Sequence, residues 1–159
     1  MDTPSLLDAI RIAKENERIS VENYANAAKK IDTLGRVIFE QLSEFEKFHY
    51  AKLTELEKSL EKTGDFINYK GKAFILPPKL EVKFAEQPEH KSMLDIIDEA
   101  MKFEKKTEKA YADLAGQLTD PKGRKMFIRL SKEEHNHYEI LGRAFWDVNQ
   151  TGVWKLSRP

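Results

Sequence analysis

Cysteine is absent from the 159 residues, and with it go disulfide cross-links, thiolate metal sites and thiol catalysis. Neither sign of charge is in surplus: lysine plus arginine and aspartate plus glutamate stand at 27 each. A nucleic-acid partner would call for a basic excess or stripe, so none is expected. Long apolar runs are missing too. None approaches the ~18 residues of a membrane-crossing helix, and no membrane partner is expected. The opening MDTPSLLDA lacks the basic-then-apolar order of a secretory signal. These absences together lead us to expect a cytoplasmic protein. Glycine and proline are scarce, at 7 and 6, which leaves few places to break a helix. What remains is 40% apolar and 34% charged. A chain of this length and composition can bury a real core, so residues 1–159 are expected to form one domain.

The sparse breakers divide that domain into four long helical stretches. Thr3 and Pro4 read as an N-cap and first helical residue, opening a helix over about 4–31. Asp32 to Gly35 form a short break, and a second helix runs over about 34–63, with Gly64 placed to cap its end. Over about 65–91 the helical pattern dissolves around Pro77, Pro78 and Pro88; this is a crossover with room for a strand or two. Ser92, with Asp95 three residues on, resembles a capping box and opens a helix over about 92–118. Thr119-Asp120-Pro121 opens the last, over about 121–149, and GVWKLSRP follows as a tail.

The two halves repeat each other. Glu17, Tyr24 and Ala28 correspond to Glu104, Tyr111 and Ala115 at an offset of 87. After a one-residue insertion, Phe39, Leu42, Ser43, Glu46, His49, Tyr50 and Leu53 correspond to Phe127, Leu130, Ser131, Glu134, His137, Tyr138 and Leu141. The chain is a duplicated helical hairpin. Short turns make each pair antiparallel, and the long crossover can return along a helix of roughly 40 Å at about 1.5 Å per residue. The expected fold is all-α: a four-helix bundle of two duplicated hairpins with one long connection.

A bundle buries seam positions spaced three and four apart. The four seams run through Ile10, Ala13, Glu17, Ser20, Tyr24; Phe39, Leu42, Glu46, His49, Leu53; Ile97, Ala100, Glu104, Thr107, Tyr111; and Phe127, Leu130, Glu134, His137, Leu141. Each carries a glutamate near its middle, and two carry a histidine one step later. A single glutamate in so charged a chain usually faces solvent, and a single buried histidine is usually a hydrogen-bonded core residue. Four unpaired carboxylates in one core, however, would each cost several kcal/mol, and no lysine or arginine shares these seams near them. The missing positive charge is expected to be metal. Two divalent ions balance four carboxylates, and two neutral imidazoles complete the donor set. Residues three apart share a helical face, so Glu46 with His49, or Glu134 with His137, can serve one ion. One Glu-x-x-His is a weak signal; two in duplicated hairpins, each preceded by a seam glutamate, form a strong one.

These two Glu-x-x-His helices, with Glu17 and Glu104 each seven residues before a tyrosine, resemble the rubrerythrin branch of the ferritin-like di-iron carboxylate proteins. The resemblance covers roughly residues 5–148 apart from the crossover. It implies two iron ions per chain, with manganese or a mixed pair as alternatives. Glu17, Glu46 and His49 would hold one, Glu104, Glu134 and His137 the other, and Glu46 and Glu134 would bridge. Tyr24 and Tyr111 read equally well as hydrogen-bond donors to a neighbouring carboxylate and as ordinary core aromatics. Tyr50 and Tyr138 fall off the seam and read as packing or interface residues, His135 as a surface residue, and His90 as incidental.

The resemblance also implies an oxidoreductase that reduces hydrogen peroxide. Lacking a cysteine-ligated module, the chain would take electrons from a separate electron-transfer protein. Thr107 stands where rubrerythrins usually place a further carboxylate, and Glu108 is one step off. The alternative is a ferroxidase or iron-handling protein; the ten residues after Asn149 are few for the fifth helix of a ferritin cage. An inert structural metal bundle is a third reading. A homo-oligomer, in particular a dimer, is expected. Without metal, the four seam glutamates should all have raised pKa values, through burial and mutual repulsion.

Overall fold

Four helices follow from the caps the chain provides. The computed structural model describes residues 5–30, 35–64, 80–83, 90–151 and 153–156. The Ser5 hydroxyl accepts a hydrogen bond from the Asp8 amide at 3.1 Å, an N-cap from which α1 runs Leu6–Lys29. The cap bond therefore forms at Ser5; Thr3 and Pro4, read as the cap from the sequence, lie outside the described residues. Helix α2 is Gly35–Thr63. It closes on Gly64, whose φ of 71° is the left-handed conformation glycine adopts without penalty and whose amide donates to Leu60 O at 3.0 Å.

Helix α3 is His90–Gln117, which puts Ser92 inside the first turn instead of at a cap. Helix α4 is Pro121–Thr151. Asp120 caps it, its Oδ1 accepting from the Gly123 amide at 3.0 Å, and proline occupies the first helical position where no amide is needed.

The helices pack as two hairpins, α1 on α2 and α3 on α4, with α1 also against α3. Two short strands add a ribbon: β1, Leu80–Lys83, pairs antiparallel with β2, Val153–Leu156, in the register Leu80↔Leu156 to Lys83↔Val153. The crossover thus contributes one described strand, and the expected tail contributes its partner. The rest of the crossover, 65–79 and 84–89, lies outside the described residues. Among the described residues no helix is long and apolar enough to cross a membrane.

The core comes in two apolar clusters, each drawing on all four helices. One holds Tyr24, Ile38, Phe39, Leu42, Ile97 and Leu141; the other Ile10, Leu53, Tyr111, Leu114, Phe127 and Leu130. Between them, along every helix, fall the seam residues that are not apolar. Past Tyr24 the buried face of α1 continues at Ala28, at 3% exposure, with Ala27 half-buried.

Candidate metal centre

The six seam acids and imidazoles meet in that middle layer. Glu17, Glu46, His49, Glu104, Glu134 and His137 are each at most 1% exposed. They form two overlapping sets: Glu17, Glu46, His49 and Glu134, and Glu46, Glu104, Glu134 and His137, each offering one donor atom per residue, all within 4.8 Å of one another. Glu46 and Glu134 belong to both sets. His49 Nδ1 lies 3.1–3.3 Å from Glu46, Glu134 and Glu17, and His137 Nδ1 lies 2.9 Å from Glu46 and 3.5 Å from Glu104. The two rings are nearly parallel, with centroids 6.5 Å apart.

The donor set fits divalent metal. Glu17 Oε2, Glu46 Oε1, Glu104 Oε2 and Glu134 Oε1 are buried without a directed hydrogen bond, one such oxygen from each helix. Buried carboxylate oxygens left this way are destabilising unless something electropositive meets them. Oxygen and imidazole donors suit iron, manganese or zinc rather than soft-metal chemistry.

The surrounding residues follow the duplication closely. Tyr24 donates to Glu104 Oε1, and Tyr111 donates to Glu17 Oε1 at 2.7 Å, so each hairpin's tyrosine steadies the other hairpin's glutamate. Burial first, then the facing carboxylates, push both phenols well above their usual pKa, which keeps them donors. Ser43 Oγ donates to Val21 O and Ser131 Oγ to Glu108 O, both at 3.0 Å, the same strap in each hairpin. Ser20 and Thr107, equivalent under the offset of 87, are buried in the same layer.

The duplication breaks at one pair. Sequence reasoning passed over Glu133, which is 4% exposed and whose Oε2 lies 3.1 Å from His49 Nε2. Its counterpart in the first hairpin is Phe45. That ring stands edge-on to both imidazoles, with centroids 4.8 Å from His49 and 4.6 Å from His137. The available signal was the pair Glu133-Glu134 facing Phe45-Glu46 across the repeat. Elsewhere, Glu108 does not turn inward to replace the carboxylate absent at Thr107. It meets His135 Nδ1 at 2.9 Å, and His135 in turn meets Glu139 at 2.9 Å, on the outside of the bundle.

Electrostatics correct one expectation. The four glutamates do not all shift upward. Burial, then the neighbouring carboxylates, raise Glu17 and Glu104 well above the usual range. Burial also pushes on Glu46 and Glu134, yet both end below it, Glu134 well below, because Glu17 or Glu104 as a proton donor and the close approach of the imidazoles favour their charged forms. Burial opposes charge on the histidines, but the facing carboxylates outweigh it and raise both well above their usual value. In the metal-free cluster protons are thus favoured on Glu17, Glu104 and the two imidazoles, and charge on Glu46 and Glu134.

Residues 13–145 match the family described as rubrerythrin. Comparison with curated proteins and with solved structures gives no match.

Proposed function

The chain belongs to the rubrerythrin family, and from that premise we propose that Glu17, Glu46, His49, Glu104, Glu134 and His137 hold two iron ions in a centre that reduces hydrogen peroxide with electrons supplied by a separate protein. The observation that carries the reading is the convergence of four buried carboxylate oxygens without directed hydrogen bonds, one from each helix. Two divalent cations would neutralise four carboxylates, and the overlap of the two donor sets at Glu46 and Glu134 supports these as the pair that would bridge. Glu17 and Glu104 are then the terminal carboxylates, each oriented by a tyrosine from the opposite hairpin. Were His49 to hold metal through Nδ1, the nitrogen facing Glu17, Glu46 and Glu134, its hydrogen would sit on Nε2 and be donated to Glu133. A ferrous pair supplies two electrons, which with two protons convert one peroxide to two waters. The chain's own part is to hold the pair in a buried layer between two apolar clusters.

The test is anaerobic reduction of the iron-loaded protein, followed by separate challenge with peroxide and with dioxygen while the ferric absorption is followed. The reading expects about two irons per chain, faster oxidation by peroxide, and arrest after one cycle until a donor is added. Faster oxidation by dioxygen, with uptake of many irons per chain and mineral growth, would establish the iron-handling alternative instead. A homodimer belongs to the same proposal. The exposed Ile12, Ile128 and Trp146, at 47%, 46% and 63%, support self-association, and sedimentation of the metal-loaded protein measures it.

A further inference from the structure

The two ends of the centre are not equally enclosed. A cleft of about 260 Å³ lies between α1 and α3, where Tyr24, Ala27, Ala100 and Phe103 line it together with the exposed Asn23, Asn26, Lys30 and Glu99. Tyr24 keeps 3% of its surface, and its hydroxyl bonds Glu104 on the His137 side of the centre. At the pseudo-equivalent position the space is filled. Under the offset of 87, Ala27 becomes Leu114, which packs with Tyr111 in an apolar cluster, and Tyr111 has 0% exposure. Ala100 and Ile96 correspond to Ala13 and Ala9, both 0% exposed in that same cluster. The duplication kept the donor set at both ends but left room at one.

We propose that this cleft is the access route and outer binding site for the small reactant of the centre, delivering it to the Glu104 and His137 side. The cleft's chemistry suits a small, uncharged molecule that both donates and accepts hydrogen bonds, hydrogen peroxide in the reading above. Asn23 and Asn26 offer amide donors and acceptors, and Lys30 and Glu99 cancel in charge, so the opening has no net field to gather ions. The two alanines give it width, and Tyr24 ends it with a hydroxyl. A second hollow, lined by Glu108, Arg129, Lys132, Glu133, His135 and Asn136, leads instead to Glu133 and so to the outer nitrogen of His49, behind the imidazole.

The proposal rests on the six residues being metal ligands. Its test uses the full chain loaded with iron, and Ala27→Leu, which writes into α1 the residue α3 already carries at Leu114. Two rates are measured: azide binding to the oxidised protein by visible absorption, which involves no turnover, and reoxidation of the reduced protein by peroxide. Both should fall by about tenfold, because a narrowed path lowers the fraction of productive encounters, while iron content and the resting spectrum match the unsubstituted protein. Asn136→Trp at the second hollow should leave both unchanged. Ala100→Leu, from the opposite wall, repeats the block should Ala27→Leu fail to fold. An iron-loaded blocked variant with unchanged rates would overturn the cleft alone, as would slowing by Asn136→Trp in its place. Failure of the unsubstituted chain to bind iron would overturn the ligand reading first, and this one with it.

Discussion

At the scale of single residues, Glu133 makes the two imidazoles unequal. His49 has a carboxylate at its outer nitrogen, whereas the equivalent position in the first hairpin is Phe45, which borders His137 edge-on. A carboxylate there fixes the ring's orientation and raises its basicity as a ligand. Glu133→Gln keeps the shape and removes the charge, so it should weaken metal binding by about 10–100-fold at one of the two sites and little at the other. A metal titration would then show two unequal steps; uniform weakening at both would assign Glu133 a general role in folding. Glu133 was hard to read from the sequence because seam periodicity selects Glu134, and the helix face one step away is ordinarily solvated. The six central residues were legible for the opposite reason: charge at a buried period is costly, and so conspicuous.

Titration also belongs at this scale. In the metal-free protein, His49 and His137 have raised folded pKa values, so their contribution is complete below the ordinary histidine value of about 6.5 and is lost as pH rises toward the folded values. Glu17 and Glu104, also raised, lose theirs as pH rises above about 4.5. Glu46 and Glu134, lowered, contribute above that value and lose their contribution as pH falls. All the losses above pH 5 have one sign. Chelator-treated protein should therefore unfold at lower denaturant at pH 8 than at pH 6. Metal-loaded protein should show the reverse or no slope, because metal competes with protons for the same atoms. Equal behaviour of the two samples would mean that these groups share no buried cluster.

At the scale of elements, helix ends are governed by one or two hydrogen bonds each, and these can be removed singly. Asp120→Ala takes away the acceptor for the Gly123 amide and should cost about 1 kcal/mol. Gly64→Ala forces a side chain into the left-handed region at φ 71° and should cost about 1 kcal/mol. Denaturant midpoints measure both, and effects below a few tenths would mean that these ends fray. Helix interiors were legible because three-four spacing is repeated many times along each seam. Their ends were less so: Ser5 makes the cap bond of α1 although Thr3 and Pro4 read as its start, and Ser92, read as opening α3, lies inside it. The ribbon was not legible as a pair, since four-residue strands whose partners lie seventy or more positions apart leave no shared period to detect.

At the scale of the whole molecule, an acidic and imidazole layer lies between two apolar clusters, each built from four helices. Removing either doubly shared glutamate should empty the layer. Glu46→Ala and Glu134→Ala should each reduce metal content from about two ions per chain to less than one, since both sets lose a donor. Glu15→Ala, at an exposed residue bound to Arg18, should retain both. Elemental analysis decides it, and full occupancy in either bridging variant would refute the shared assignment.

The same layer carries a consequence for alignment. Apolar seams built largely of leucine, isoleucine and alanine discriminate poorly against one helix sliding along another, because each turn offers a similar surface. The donor atoms tolerate no such slide. One turn of helix is about 5.4 Å, more than the 4.8 Å that spans each donor set. A hairpin docked one turn out of place would bury glutamates against leucines and leave the imidazoles without their facing carboxylates. The middle layer thus acts as a keyway: a costly insertion that only one longitudinal alignment of the two hairpins can accommodate, whether protons or metal fill it.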